Sequence, residues 1–227
     1  MRDKSIRWNL AYRALTDLKK HFLYFPIHKN AHSKLQSTFF SAGWEEIQKI
    51  SPSDIIDENL FNINVNKFAV IRDPYERWIS GFCSFIEFED EPTFDKPIST
   101  LVKSDYFDET LTLLFRDRDD YEFDIHCKLQ VNFIKKYTET FKCSTSDITF
   151  FYLNNNLGYQ INKWFQSHNE LINVNNHKTN VQNKSLISYR HITEFLFNAK
   201  NEIYKQKLYA YLKPDYDFIN SINFYAR

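Results

Sequence analysis

Lysine, histidine and hydroxyl side chains crowd one short stretch of the sequence, His28-Lys29-Asn30-Ala31-His32-Ser33-Lys34. It stands between an aromatic-rich run, Phe22-Leu23-Tyr24-Phe25, and a pattern in which Leu35 and Phe39 recur at helical spacing. The run is short and β-prone, so it predicts a strand ended by Pro26, and the later spacing predicts a helix. The first backbone N–H groups of a helix have no internal partner and carry the positive end of its dipole, which suits an anion. Lys29 and Lys34 add full charges and Ser33 a hydroxyl, so the stretch outlines a phosphate cradle. On this stretch alone, an ordinary strand-to-helix turn with solvated lysines is the plain alternative. A Walker A loop, G-x-x-x-x-G-K-[ST], is absent, and the loop holds no glycine.

A second stretch, KFAVIRDPYERWISGFCSF from Lys67 to Phe85, places an arginine beside another predicted strand. Phe68-Ala69-Val70-Ile71 is the strand. Asp73 suits the N-cap and Pro74 the first turn of a helix continued by Trp78, Ile79, Phe82 and Phe85. Arg72 therefore falls at the carboxyl end of a strand, where open α/β sheets bind ligands. Ser80 falls about two turns into the helix. A salt bridge from Arg72 to Asp73 or Glu76 is the alternative to a ligand role.

Together the two stretches resemble the sulfotransferase superfamily, which uses 3′-phosphoadenosine 5′-phosphosulfate (PAPS). They are most similar to carbohydrate sulfotransferases of the Golgi type and their bacterial and viral relatives. There a loop like P-K-x-G-x-[TS]-[ST] holds the 5′-phosphosulfate. The resemblance puts Lys29 at the family lysine and Ser33 at the hydroxyl, with the backbone of Asn30, Ala31, His32, Ser33 and Lys34 completing the cradle. His28 replaces the usual proline, Ala31 the glycine, and Lys34 a frequent second hydroxyl. The family's R-D-P-x-x-R-x-x-S element is matched at every specified position by Arg72-Asp73-Pro74-Tyr75-Glu76-Arg77-Trp78-Ile79-Ser80. This implies that Arg72 and Ser80 hold the 3′-phosphate.

Three further segments extend the likeness. Asp124-Ile125-His126-Cys127-Lys128-Leu129-Gln130 is similar to a D-x-H-x-x-x-Q-like segment of some carbohydrate sulfotransferases. It implies His126 as the base that takes the acceptor proton, a task that fits a side chain titrating near neutrality. His32 and Asp124 compete for that role. Asn173 to Ser185 has the H-x-N-x-[ST]-like character of a loop that approaches the nucleotide, with His177, Lys178, Thr179, Asn183, Lys184 and Ser185 as donors. Tyr209 to Phe218 resembles the family's closing segment, with Tyr209 and Phe218 as core anchors. The implied reaction is sulfuryl transfer from PAPS to a hydroxyl of a carbohydrate or other small acceptor. Lys29 steadies the leaving phosphate, and no metal is required. The implied fold is a P-loop-kinase-like three-layer α/β/α sandwich with a mainly parallel sheet.

The elements that must position these residues follow from the rest of the chain. Its 227 residues suit one domain, 1–227. Ile148 to Leu153 predicts a third strand. Leu157, Ile161, Trp164 and Phe165 predict a helix, and Ile192 to Tyr211 one or two more. Alternating strands and helices predict a parallel sheet covered on both faces. The first loop and Arg72 would then meet at the carboxyl edge of adjacent strands. Met1 to Lys20 reads as an amphipathic helix, Ala42 to Asn66 as helix end, loop and strand lead-in, and Glu87 to Lys96 as a surface loop. The charge-dense Asp105 to Asp124 reads as a solvated helix rather than a metal cluster.

Composition excludes several classes. Net charge is zero, which gives no global electrostatic case for nucleic acid or an anionic membrane. Cys83, Cys127 and Cys143 form no CxxC, which argues against a zinc site or disulfide framework, and Cys83 is expected reduced in the core. The N-terminal stretch carries charges throughout, unlike a signal peptide or membrane anchor, so a cytoplasmic protein of bacterial or viral origin is expected. Two other classes stay open: a non-catalytic nucleotide-binding module on the same scaffold, and a P-loop-type nucleotide kinase using ATP and magnesium. Acceptor identity and oligomeric state are not legible.

Overall fold

The computed structural model describes residues 13–47, 65–88, 107–116, 121–174 and 183–225. These fall into two compact units. One takes in the described residues up to Asp73, Gln130 to Val174, and Phe218 to Tyr225; the other takes in those from Pro74 to Leu129 and from Asn183 to Asp217.

The first unit is built on a sheet of β1 (Ala14–Thr16), β2 (Phe22–Phe25), β3 (Glu45–Ile47), β4 (Asn66–Ile71) and β5 (Ile148–Tyr152), in the order β3-β1-β2-β4-β5. The expected parallel arrangement holds across β2, β4 and β5: Phe25 stands opposite Ala69, and Ile71 opposite Tyr152. Beyond β2 the sheet continues with two antiparallel pairings, β2 to β1 and β1 to β3. Ala14–Thr16 is therefore strand, not part of the expected N-terminal helix; residues 1–12 of that expectation lie outside the described residues.

Side-chain alternation along β2 explains why helices cover both faces. Phe22 and Tyr24 point one way, onto Phe39 of α1 (His32–Ser41) and onto Trp164 and Phe165 of α5 (Leu157–Ser167). Phe25 points the other way. It stacks on Tyr137 of α4 (Gln130–Phe141) with ring centroids 4.7 Å apart, and the Tyr137 hydroxyl donates to the Pro26 carbonyl at 2.7 Å. Leu35 and Phe39 are buried on α1 as their spacing predicts, while Phe40 is exposed. The unit is a three-layer α/β/α arrangement.

The second unit is helical. It holds α2 (Pro74–Phe88), α3 (Phe107–Arg116), the segment from Tyr121 to Leu129, α6 (Asn183–Phe197) and most of α7 (Glu202–Ser221). Its core mixes aromatic rings with aliphatic residues such as Ile79, Leu111, Leu196 and Leu212. Trp78 and Phe82 of α2 pack on Phe115 of α3 and on Tyr121 and Phe123, and Phe115 meets Phe195 and Tyr204. Burying each such ring contributes about 1.5–3 kcal/mol of transfer free energy. Cys83 is buried on α2, and all three cysteines are free thiols.

Several sequence expectations change in detail. Asn183, Lys184 and Ser185 open helix α6 rather than close a loop, and His177, Lys178 and Thr179 lie outside the described residues. Of the expected acidic loop, 87–88 complete α2 and 89–96 lie outside; of the charge-dense helix, 105–106 and 117–120 lie outside. The C-terminal helix runs through Pro214 to Ser221, and Tyr209 is no core anchor: it is exposed and stacks on Tyr75 and Tyr216. Phe218 is half-buried against Phe150, while Leu208, Leu212, Asp215 and Ile219 are the buried residues of that helix. Among the described residues no helix is long and apolar enough to cross a membrane.

Candidate active site

The loop from Pro26 to Ala31 leaves the carboxyl end of β2 and turns directly into α1. Lys29 and Ala31 both have left-handed backbone, with φ of 67° and 59°. The chain thereby turns tightly just before the helix begins. Ala31 is the N-cap of α1, no side chain caps the helix, and its first turn holds no acidic residue among the described residues. The positive helix end is thus left for something other than a side chain of its own. Lys29 and His32 are half-buried here, Ser33 and Lys34 exposed. The rings of His28 and His32 lie 4.9 Å apart.

Asn30 has a structural part that the sequence does not display. Its N–H closes a turn onto the Ile27 carbonyl at 3.1 Å, and its side chain is wholly buried. The amide Nδ2 donates to Val70 O at 2.8 Å and to Gln130 Oε1 at 2.6 Å. Asn30 holds the loop.

Arg72 follows the last residue of β4, and the parallel pairing of β2 with β4 brings it beside the loop, as the sequence predicts. Its Nη1 donates to Lys29 O at 3.4 Å. Its main chain is held by Gln130, the buried first residue of α4: Oε1 accepts from Arg72 N at 3.0 Å, and Nε2 donates to Arg72 O at 2.9 Å. Nothing but a glutamine at the end of the D-x-H-x-x-x-Q-like segment hints at this contact in the sequence, because 58 residues separate the partners.

His126 and Ser80 belong to the second unit. Ser80 is half-buried on α2. The His126 Nδ1 stands 2.6 Å from Asp124 Oδ2. The other carboxylate oxygen accepts from the main-chain N–H of His126 at 2.8 Å and of Cys127 at 3.2 Å. Asp124 therefore both shapes the turn and faces Nδ1, which in the neutral ring sets the proton on Nδ1 rather than on Nε2. The histidine side chain is 32 % exposed and the aspartate 16 %.

Three residues to which the sequence reading assigned no role brace this turn from the same unit. The buried Arg77 donates through Nη1 to Lys128 O at 2.6 Å. The Tyr211 hydroxyl donates to Cys127 O at 3.2 Å, and burial pushes that phenol well above its usual range. Gly81 touches the turn directly: a Cβ there would lie 2.3 Å from His126 O. A glycine in the middle of a helix, in a chain with three glycines in all, was the available signal. Among the described residues, no three His, Cys, Asp or Glu side chains converge on a point that could hold a metal.

The arrangement can do two things. The first loop and Arg72 can hold an anion with more than one charged oxygen, and the Asp124–His126 pair can accept a proton. The family model described as Sulfotransferase family matches residues 13–218, which include every candidate site residue. No curated protein and no solved structure gives a significant match. With more than half of its length matched, the chain belongs to the sulfotransferase family.

Proposed function

We propose that this chain transfers a sulfuryl group from PAPS to a hydroxyl of a carbohydrate or other small acceptor. One observation carries the donor assignment. The Lys29 loop and Arg72 stand at the carboxyl ends of two adjacent parallel strands, and Arg72 reaches the carbonyl of Lys29 itself. A loop for one phosphate beside an arginine for another suits a nucleotide phosphorylated at both ends of its ribose.

The roles follow from charge and donor chemistry. Backbone N–H groups from Ala31 to Lys34 and the Ser33 hydroxyl hold the 5′-phosphate. Lys29 stabilises the charge that grows on the leaving phosphate oxygen. Arg72 holds the 3′-phosphate, assisted by Ser80 according to the family motif. His126, with Asp124 fixing its tautomer, takes the proton of the acceptor hydroxyl. When bound, PAPS supplies the activated sulfonate and an anionic phosphate leaving group.

Thermal shift of the full chain with 3′-phosphoadenosine 5′-phosphate, AMP, and ATP with magnesium tests the reading. Selective stabilisation by the 3′-phosphorylated nucleotide, lost in Arg72→Ala, supports the donor site. An equal response to ATP favours a nucleotide kinase. No response to any of them marks a scaffold without donor binding, and the activity proposed here then falls.

A further inference from the structure

We propose that the Asn30–Gln130 amide pair is a positioning device that registers Arg72 against the Lys29 loop, and that discrimination for a nucleotide bearing a 3′-phosphate depends on it. This rests on the reading of the loop and Arg72 as two phosphate contacts.

The device begins where the sheet stops. Phe25 is the last residue of β2 and stands opposite Ala69. Pro26 has no N–H to continue the ladder. In a parallel ladder, successive residues address opposite neighbours. Ile71 O accepts from Leu153 N on the β5 side, so Val70 and Arg72 face the side of β2. That edge of β4 has polar groups but no further β2 strand to pair them. The two buried side-chain amides take the strand's place. Asn30 Nδ2 donates to Val70 O, and Gln130 pairs with both the N–H and the carbonyl of Arg72. The 2.6 Å contact from Asn30 Nδ2 to Gln130 Oε1 joins the two.

The orientation of both amides is fixed by their partners. Turning the Asn30 amide would set its oxygen against Val70 O and Gln130 Oε1. Turning the Gln130 amide would set donor against donor at Arg72 N and acceptor against acceptor at Arg72 O. The pair is therefore directional, and both residues are wholly buried. The loop has its own internal bonds, Asn30 N to Ile27 O and Leu35 N to Ala31 O. Arg72 follows the last residue of β4, and Gln130 is what continues the ladder there. Loss of Gln130 should accordingly disturb the 3′-phosphate contact more than the 5′-phosphate cradle.

The test is calorimetric titration of 3′-phosphoadenosine 5′-phosphate and of AMP into the full chain. It uses wild type, Gln130→Met, Gln130→Glu, Arg72→Ala and the Arg72→Ala/Gln130→Met double variant. Gln130→Met should lower the affinity ratio of the two nucleotides about tenfold, with AMP affinity changed much less. Gln130→Glu keeps the acceptors but loses the donor to Arg72 O; it should move the ratio the same way, and it serves if the methionine variant does not fold. The double variant should discriminate no worse than Arg72→Ala alone, the mark of residues acting through one another. A folded Gln130 variant that keeps the wild-type ratio, or a double variant with multiplied losses, overturns the inference while the donor reading stands. A wild type that binds the two nucleotides equally overturns the donor reading, and this inference with it.

Discussion

Lys29 and Ala31 hold left-handed backbone without a glycine to make it easy. For an L-residue that conformation costs roughly 1–2 kcal/mol, part of which a glycine would give back as unfolded-chain entropy. Ala31→Gly should therefore stabilise the protein by about 0.5–1 kcal/mol, read from denaturant unfolding; an unchanged or lowered stability would show that the loop is relaxed as it stands. Lys29→Ala should cut donor turnover roughly 100-fold or more, because a charge aimed at the leaving group is worth about 3–4 kcal/mol. Wild-type turnover in that variant would remove Lys29 from the leaving-group role. Asp124→Asn keeps an oxygen for the turn's N–H groups but sets an NH₂ toward His126 Nδ1, so the proton should move to Nε2. Nitrogen NMR of the His126 ring reads the tautomer directly, and an unchanged Nδ1–H signal would rule out Asp124 as its determinant. At this scale the sequence displayed the residues whose spacing is local: the Arg72-to-Ser80 element and the lysine and hydroxyl of the first loop. It could not display Gln130 or the inward turn of Asn30, because those depend on chain segments brought together by the sheet.

Helix α2 is shaped by one close approach. Gly81 lets it lie against the main chain at His126, where even a methyl group would collide with a carbonyl. Alanine in a helix is favoured over glycine by about 1 kcal/mol, but forcing backbone apart costs about 1–3 kcal/mol, so the collision wins. Gly81→Ala should destabilise the fold by denaturant titration and shift the amide signals of residues 124–128. A stabilised variant with unmoved signals would show the contact to be loose. Elements with strong apolar runs, β2, β4 and β5, were plain in the sequence, as were α1 and α5. The strands β1 and β3 were not. At three residues each they are too short to show a two-residue period, and Ala14–Thr16 sits in a stretch whose charges and apolar residues also fit a helix.

The whole chain is unusually rich in buried phenol and phenyl rings for its size, and this sets its behaviour in alkali. Burial raises the Tyr24 and Tyr211 phenols far above the usual value near 10, and it pushes Tyr121 up to about 12. A raised folded value means the neutral phenol is favoured in the native state. Its contribution to stability is whole below the unfolded value near pH 10 and is lost as pH rises toward 12. In a spectrophotometric titration these tyrosines should ionise only together with loss of near-ultraviolet circular dichroism. Smooth ionisation of every tyrosine near pH 10 in a folded chain would contradict that. The near-neutral charge and absent CxxC pattern were legible at this scale because they are sums over the sequence. The division into two units was not, since the chain passes between them four times.

The Asn30–Gln130 bond joins residues 100 positions apart, and Gln130 to Arg72 spans 58. Contacts of such separation close late, because the loop entropy must be met before they can form. Lys29, Arg72 and their amide braces therefore exist as a site only after β2, β4 and α4 have all docked. A nascent or partly folded chain would have the basic residues but not their register, so recovery of nucleotide affinity during refolding should trail recovery of helical signal. The proposed donor site is in this sense a clock for the completion of the fold.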